Sequence, residues 1–182
     1  MGEPESFAFV AHHCQQNVSG CTCVDLMWST HVDYVEDEEH GITQLIRACI
    51  DGRSACVDFI LAMRADANLA DRDGHTPLHA ASVFGHVDCV ARLLQAGANV
   101  HVRDCQGATP LHAACMSMTP CAYECVPLLL NANSDPLLRC EGRTALMWAK
   151  QTMASESHQH VYEMLERASG LEELSPETVQ PV

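Results

Sequence analysis

The sequence predicts an all-α solenoid of helix-turn-helix units linked by β-hairpin-like loops, and three observations carry that expectation. Asp71-Arg-Asp-Gly74-His-Thr76-Pro77-Leu78-His79-Ala-Ala81 returns 33 positions later as Asp104-Cys-Gln-Gly107-Ala-Thr109-Pro110-Leu111-His112-Ala-Ala114. Three segments pair a Cys-Val start with the same later apolar pair: Cys56 to Leu61, Cys89 to Leu94 and Cys125 to Leu130. Gly41, Gly74, Gly107 and Gly142 recur at spacings of 33, 33 and 35 residues. A period of this size marks a stack of small helical units that bury one shared core, an architecture used for binding more than for catalysis.

Anchored on these glycines, the units span about residues 38–70, 71–103, 104–138 and 139–168. The second shows the local logic best. Thr76 is placed to cap a helix, and Pro77 carries the φ of a first helical turn, where its missing N–H costs little. Leu78, Ala81 and Ser82 give a narrow packing face. Gly85-His86 turns the chain, and Val87, Val90, Leu93 and Leu94 form the apolar stripe of a second helix. Gly97 is placed to end that helix in a left-handed conformation, and Val100 to Gly107 should form a projecting hairpin. The Thr-Pro-Leu-His-x-Ala core of units two and three resembles the ankyrin repeat. That resemblance covers about residues 38–168 and implies a non-enzymatic protein-interaction module. Unit one departs at its start, where Gln44-Leu45-Ile46-Arg47 replaces Pro-Leu-His-x, as end units often do. Unit four reads as a closing cap, with Trp148 over the end of the core.

Units three and four depart from the period in one further way. From the first-helix proline position to the cysteine position they take 15 residues (Pro110 to Cys125, Ala145 to His160), where the first two take 12 (Gln44 to Cys56, Pro77 to Cys89). The enlarged turns, near Met116 to Ala122 and Thr152 to His158, are expected as surface loops, which length alone does not penalise heavily; a second, Met-rich contact patch is the alternative. Pro127 inside the second helix of unit three predicts a late start or a bend.

Charge is unevenly placed. Of the formal −14, residues 1–40 hold −8, residues 156–182 hold −5, and residues 41–155 only −1. Without a basic footprint, nucleic-acid binding is not expected. No run is long and apolar enough for a membrane helix, and Glu3 after Gly2 speaks against a lipid anchor, so no membrane partner is expected either. Residues 1–37 read as an acidic, partly ordered flank and 169–182 as a disordered acidic tail, either able to fold back over a basic face. The eleven cysteines are odd in number and no export signal precedes them, so thiols in the cytoplasm or nucleus are expected, with Cys56, Cys89 and Cys125 serving as small core residues.

His79 and His112 invite a catalytic or metal reading, yet both stand three residues after a threonine in equivalent units, which repeat architecture explains. The resemblance implies that they tie neighbouring units together. The densest metal-like group is His12, His13, Cys14, Cys21 and Cys23, which lacks a second regular ligand pair. No nucleophile–base set, phosphate loop or cofactor motif occurs, so no enzyme and no cofactor are expected. Asn68 lies where the resemblance implies a possible hydroxylation target, and its plainer role is to fix a turn.

The resemblance also implies a concave binding face made of hairpin tips and first-helix surfaces. By register it comprises Arg72, Asp73, His75, Val83 and Phe84 in unit two. Arg103, Cys105, Gln106, Ala108, Met116 and Ser117 follow in unit three, and Arg139, Glu141 and Arg143 in unit four. The expected function is a monomeric or hetero-complexed adaptor or regulatory subunit that binds another protein there. The alternatives are a stoichiometric inhibitor of an enzyme such as a kinase, and a metal- or redox-responsive module built on the N-terminal His/Cys group.

Overall fold

Threonines start the first helix of the units. In the computed structural model, which describes residues 33, 35–37, 39–117, 119–152 and 159–170, Ile46 N donates to Thr43 Oγ1 at 3.2 Å, His79 N to Thr76 Oγ1 at 3.4 Å and Met147 N to Thr144 Oγ1 at 3.4 Å. Each bond satisfies an amide that a helix start leaves open. Strands β1 (Val35–Asp37) and β2 (Ile42–Thr43) form an antiparallel hairpin leading into α1 (Gln44–Ile50) and α2 (Ser54–Ala62). Then follow α3 (Pro77–Phe84) and α4 (Val87–Gln95), and α5 (Pro110–Met116), α6 (Pro120–Tyr123) and α7 (Val126–Asn131). A second hairpin, β3 (Arg139–Cys140) with β4 (Arg143–Thr144), leads into α8 (Ala145–Thr152) and α9 (Gln159–Ala168).

The first helices α1, α3, α5 and α8 stack in a row, each against the next, while α2 packs on α4 and α7 on α9. One core runs through the row. Leu45, Leu78, Leu111 and Leu146 occupy one register and are each 3% exposed or less. Cys56, Cys89 and Cys125 are buried in the same core, as the repeating Cys-Val pattern predicts. Burying each leucine stabilises the array by about 1.5–3 kcal/mol, and small neighbours such as Ala81 and Ala114 let the helices approach. In unit four Trp148 packs on the core beneath the Arg143 guanidinium, 4.7 Å from its ring centroid.

Between units two and three the expected hairpin is a tight loop. Strand ladders form only at β1–β2 and β3–β4 among the described residues. At Val100 to Gly107 two backbone bonds close the turn, Asp104 N to Ala108 O at 2.9 Å and Gly107 N to Asp104 O at 3.0 Å, as Asp71 N to His75 O at 3.0 Å and Gly74 N to Asp71 O at 3.1 Å do one unit earlier. The side chains take over the remaining amides: Asp71 Oδ1 accepts from Asp73 N and His75 N, and Asp104 Oδ1 from Gln106 N and Ala108 N. The tips are joined to each other by Arg72 N to His40 O at 3.0 Å and Cys105 N to Asp73 O at 2.9 Å.

The enlarged turn of unit three is a packed element, which corrects the expectation of a surface loop. It winds into α6, which lies against α3 and α5 with Ala122 and Tyr123 buried. Thr119 Oγ1 donates to Val83 O at 3.4 Å. Docking is close because the α3 C-cap is Gly85, at φ 75°; an ideal Cβ there would lie 2.4 Å from Cys121 C. The matching insertion of unit four, residues 153–158, lies outside the described residues. Pro127 produces the late start and no bend: α4 begins two residues before Cys89, whereas α7 begins one residue after Cys125, putting the proline in its first turn. Gly97 ends α4 at φ 85°, as its position predicts.

Two glycine substitutions separate backbone strain from the α6 contact. Gly97→Ala meets nothing within 4 Å and should cost only the left-handed penalty of about 1–2 kcal/mol. Gly85→Ala should cost at least twice as much in chemical denaturation, because the α6 backbone must move. Equal losses would show that α6 does not dock as described.

Candidate partner-binding surface

The imidazoles of His79 and His112 are buried links between units. Thr76 N donates to His79 Nδ1 at 3.2 Å, which leaves Nε2–H to donate to Ala108 O at 3.1 Å in the next loop. His112 repeats this one unit on, accepting from Thr109 N at 3.4 Å and donating through Nε2 to Leu138 O at 3.0 Å. Both ring nitrogens are thereby engaged, and a role as base or metal ligand is closed to them. Burial depresses both imidazoles below the ordinary 6.5, partly offset by the carbonyls they meet. Asn68 is structural in the same sense: its Oδ1 accepts Asn99 N at 2.7 Å across the unit boundary.

On the face opposite the second helices, α1 and α3 enclose an apolar groove of about 200 Å³, lined by Ile46, Ile50, Ala80, Val83 and Phe84 with Asp71, His75 and His79 at one end. Phe84 is 47% exposed and stacks on His86, ring centroids 6.2 Å apart. His75 stands between two loop carboxylates, Nδ1 3.3 Å from Asp71 Oδ2 and Nε2 3.6 Å from Asp104 Oδ2. Val83 and Phe84, named from register alone, are thus brought together with His75 in one groove. Ile46, Ile50 and Ala80 were not among the expected site residues, although Ile50 holds the register of Val83 and Met116; extending the register into the degenerate first unit finds it.

The other expected residues fall along the hairpin row. Arg72, Asp73, Arg103, Cys105, Gln106, Arg139, Glu141 and Arg143 are exposed, and Met116 and Ser117 half-buried at the end of α5. Ser117 Oγ is committed to Thr119 Oγ1 at 2.8 Å, within the turn leading to α6. Ala108 is a correction. It is 3% exposed, and its N–H and carbonyl serve Asp104 and His79. A methyl group at the His75 register is too short to leave the loop, so it offers a partner no surface.

Among the described residues the arginines of this row make no ion pair with a carboxylate. Arg72 Nη1 donates to Glu39 O and Arg139 Nη1 to Gly142 O, both at 2.8 Å, and Arg143 donates to Gln151 Oε1. Elsewhere three cations are paired, Arg92 with Asp58, Arg53 with Asp51 and Lys150 with Glu166. Burial pushes the thiols up, Cys115 and Cys125 to about 12 and Cys89 to about 11, which makes them poor nucleophiles. No set of three metal-capable side chains occurs among the described residues, and the group at His12, His13, Cys14, Cys21 and Cys23 lies outside them. No described helix is long and apolar enough to cross a membrane.

Stacked helix pairs with linking loops, a Thr-Pro-Leu-His start and histidine bridges between units define a repeat-array binding module. A family model for ankyrin repeats, written for three copies, matches residues 11–104 and 97–170, and the chain belongs to the ankyrin-repeat family. The match begins upstream of residue 38; Asp33 Oδ1 accepts Asp66 N at 3.0 Å, and one unit on Asn99 N, at the register of Asp66, is met instead by Asn68 Oδ1. No curated protein matches the chain. Members of the family act typically as protein-interaction modules rather than enzymes.

Two measurements check the assignments of histidine and cysteine. Above about pH 6.5 both bridging imidazoles are neutral folded and unfolded; below it the unfolded chain binds the proton first, so stability falls with pH. Urea denaturation should show lower stability at pH 5.5 than at 7.5, by at most about 1.4 kcal/mol per pH unit for each histidine. His79→Gln with His112→Gln should lower stability throughout but flatten that slope. In the native protein, alkylation should label exposed Cys105 and Cys121 and spare buried Cys115; rapid labelling of Cys115 would contradict its place in the core.

Proposed function

We propose that this protein is a non-enzymatic adaptor or regulatory subunit that holds a partner protein on its concave face. The groove between α1 and α3 carries this reading: a concave apolar site with a half-exposed aromatic at its rim, built on rigid helices. An aromatic in such a position commonly supplies a large share of binding energy, and the helices beneath it do not need ordering when a partner arrives. The exposed row from Arg72 to Arg143 extends the contact across the remaining units. The free thiols of Cys49, Cys89, Cys105, Cys121, Cys125 and Cys140 support placement inside the cell, in cytoplasm or nucleus.

Affinity purification with the wild type beside a Phe84→Ala, Arg103→Glu variant tests this reading. Both positions are exposed, so the variant should keep its melting temperature within about 2 °C while losing one or more proteins that the wild type retains. Loss of Phe84 alone should weaken a purified partner by about fivefold or more, the effect of an anchor worth over 1 kcal/mol. Identical captured proteins from wild type and variant would end the concave-face assignment.

A further inference from the structure

The concave face changes sign along its length. At the register where units two and three place Asp71 and Asp104, unit four places Arg139; at the register of His75 it places Arg143. Asp71 lies at the end of the apolar groove with exposed Asp73 beside it, two carboxylates against the single charge of Arg72, whose Nη1 is turned to Glu39 O. Toward unit four the exposed charges become Arg103, Arg139 and Arg143 against Glu141. None of these three arginines makes an ion pair with a carboxylate among the described residues. Arg139 is steadied by Gly142 O, and Arg143 by Gln151 and the face of Trp148. A guanidinium lying over an indole keeps its N–H edge directed outward, ready for a carboxylate in a two-bond pairing.

Resting on the proposed function, we propose that the partner presents an extended segment in one fixed direction, an apolar side chain in the α1–α3 groove and a carboxylate cluster on Arg139 and Arg143. The groove suits one Leu-, Met- or Phe-sized side chain, while the acidic groove end opposes carboxylates there. Adjacent helices of the row stand about 8–10 Å apart, so the two and a half steps from the α1–α3 groove to α8 cover about 20–25 Å. At about 3.3 Å per extended residue, the carboxylates lie about six to eight residues from the anchor. Reversing the segment would set its acids beside Asp71 and Asp73, which selects the direction.

The test is display selection of random 16-residue peptides on three forms of the folded full chain: wild type, Phe84→Ala, and Arg139→Glu with Arg143→Glu. Circular dichroism establishes folding of each, and the substituted side chains are at the surface. Wild type is expected to enrich peptides with one large apolar residue and an Asp/Glu cluster about six to eight residues away. The enriched peptide should bind Phe84→Ala and the double arginine variant at least tenfold more weakly, and selection on the arginine variant should lose the acidic cluster but keep the apolar residue. Peptides that depend on Phe84 yet carry no acidic cluster, or a basic one, would overturn this inference and leave the proposed function standing. No enrichment on wild type over Phe84→Ala would overturn both. A tenfold or greater gain in peptide affinity on removing residues 171–182, which include Leu171-Glu-Glu-Leu174, would assign the face to the chain's own tail instead of a partner.

Discussion

A single helix pair of this chain has an apolar face that it cannot cover, so stability depends on neighbouring pairs meeting in one fixed register. Burial alone does not choose that register, because apolar surface is attractive in any orientation. Directional bonds make the choice. His79 and His112 each join the start of their own helix to the loop of the next unit. His86 Nε2 donates to Ile50 O at 3.0 Å between the turns of units one and two, and Asn68 bridges to Asn99 at the start of the loops. The bonds of His79 and His112 are buried or partly buried, and breaking one there would leave a partner shielded from water. The leucine and cysteine columns of the core line up because these bonds hold the units at a constant offset.

The same constraint explains the third unit. An insertion between two helices normally escapes into solvent, where it costs little. Here the chain returns along α3, and Gly85 gives it room to do so: without a side chain at that cap, the α6 backbone lies almost on the preceding turn. Buried Ala122 and Tyr123 and the Thr119 bond to Val83 then make α6 part of the stack. The late start of α7 belongs to the same arrangement. The residues that would open the second helix are used in α6, and Pro127 falls where a helix tolerates it.

What the stack leaves uncovered differs from side to side. Toward the second helices, charges are neutralised in local pairs such as Arg92 with Asp58, each worth little at a surface. Along the hairpins, arginines rest on carbonyls, an amide and an indole, and among the described residues none of them makes a direct ion pair with a carboxylate. The α1–α3 groove adds an apolar site within the same face. Shape comes from the helices and charge from the loops, so the two vary independently through a family built on one scaffold.

The period, the caps and most of the core were legible in the sequence because each depends on residues close together or on one repeated spacing. Thr76 before Pro77, Gly97 after Leu94 and the Cys-Val columns are local chemistry copied from unit to unit. The structural role of His79 was readable because it recurs as His112, and the surface position of Phe84 because it ends a first helix. Ala108 was misread for the opposite reason: register placed it on the binding face, but only its contacts with Asp104 and His79 show that the loop closes over it. The docking of α6 was hidden because the space it fills is made by Gly85 from another unit. The groove was half hidden, since Ile46, Ile50 and Ala80 come from two units and only one carries the full motif. The sequence by itself determined that this chain forms a stack of helix pairs, since helix starts, stops and periodic apolar faces are short-range properties. Only the tertiary structure decided which side chains share the groove and which insertion packs into the array, because those depend on distances between residues that the chain's linear order does not specify.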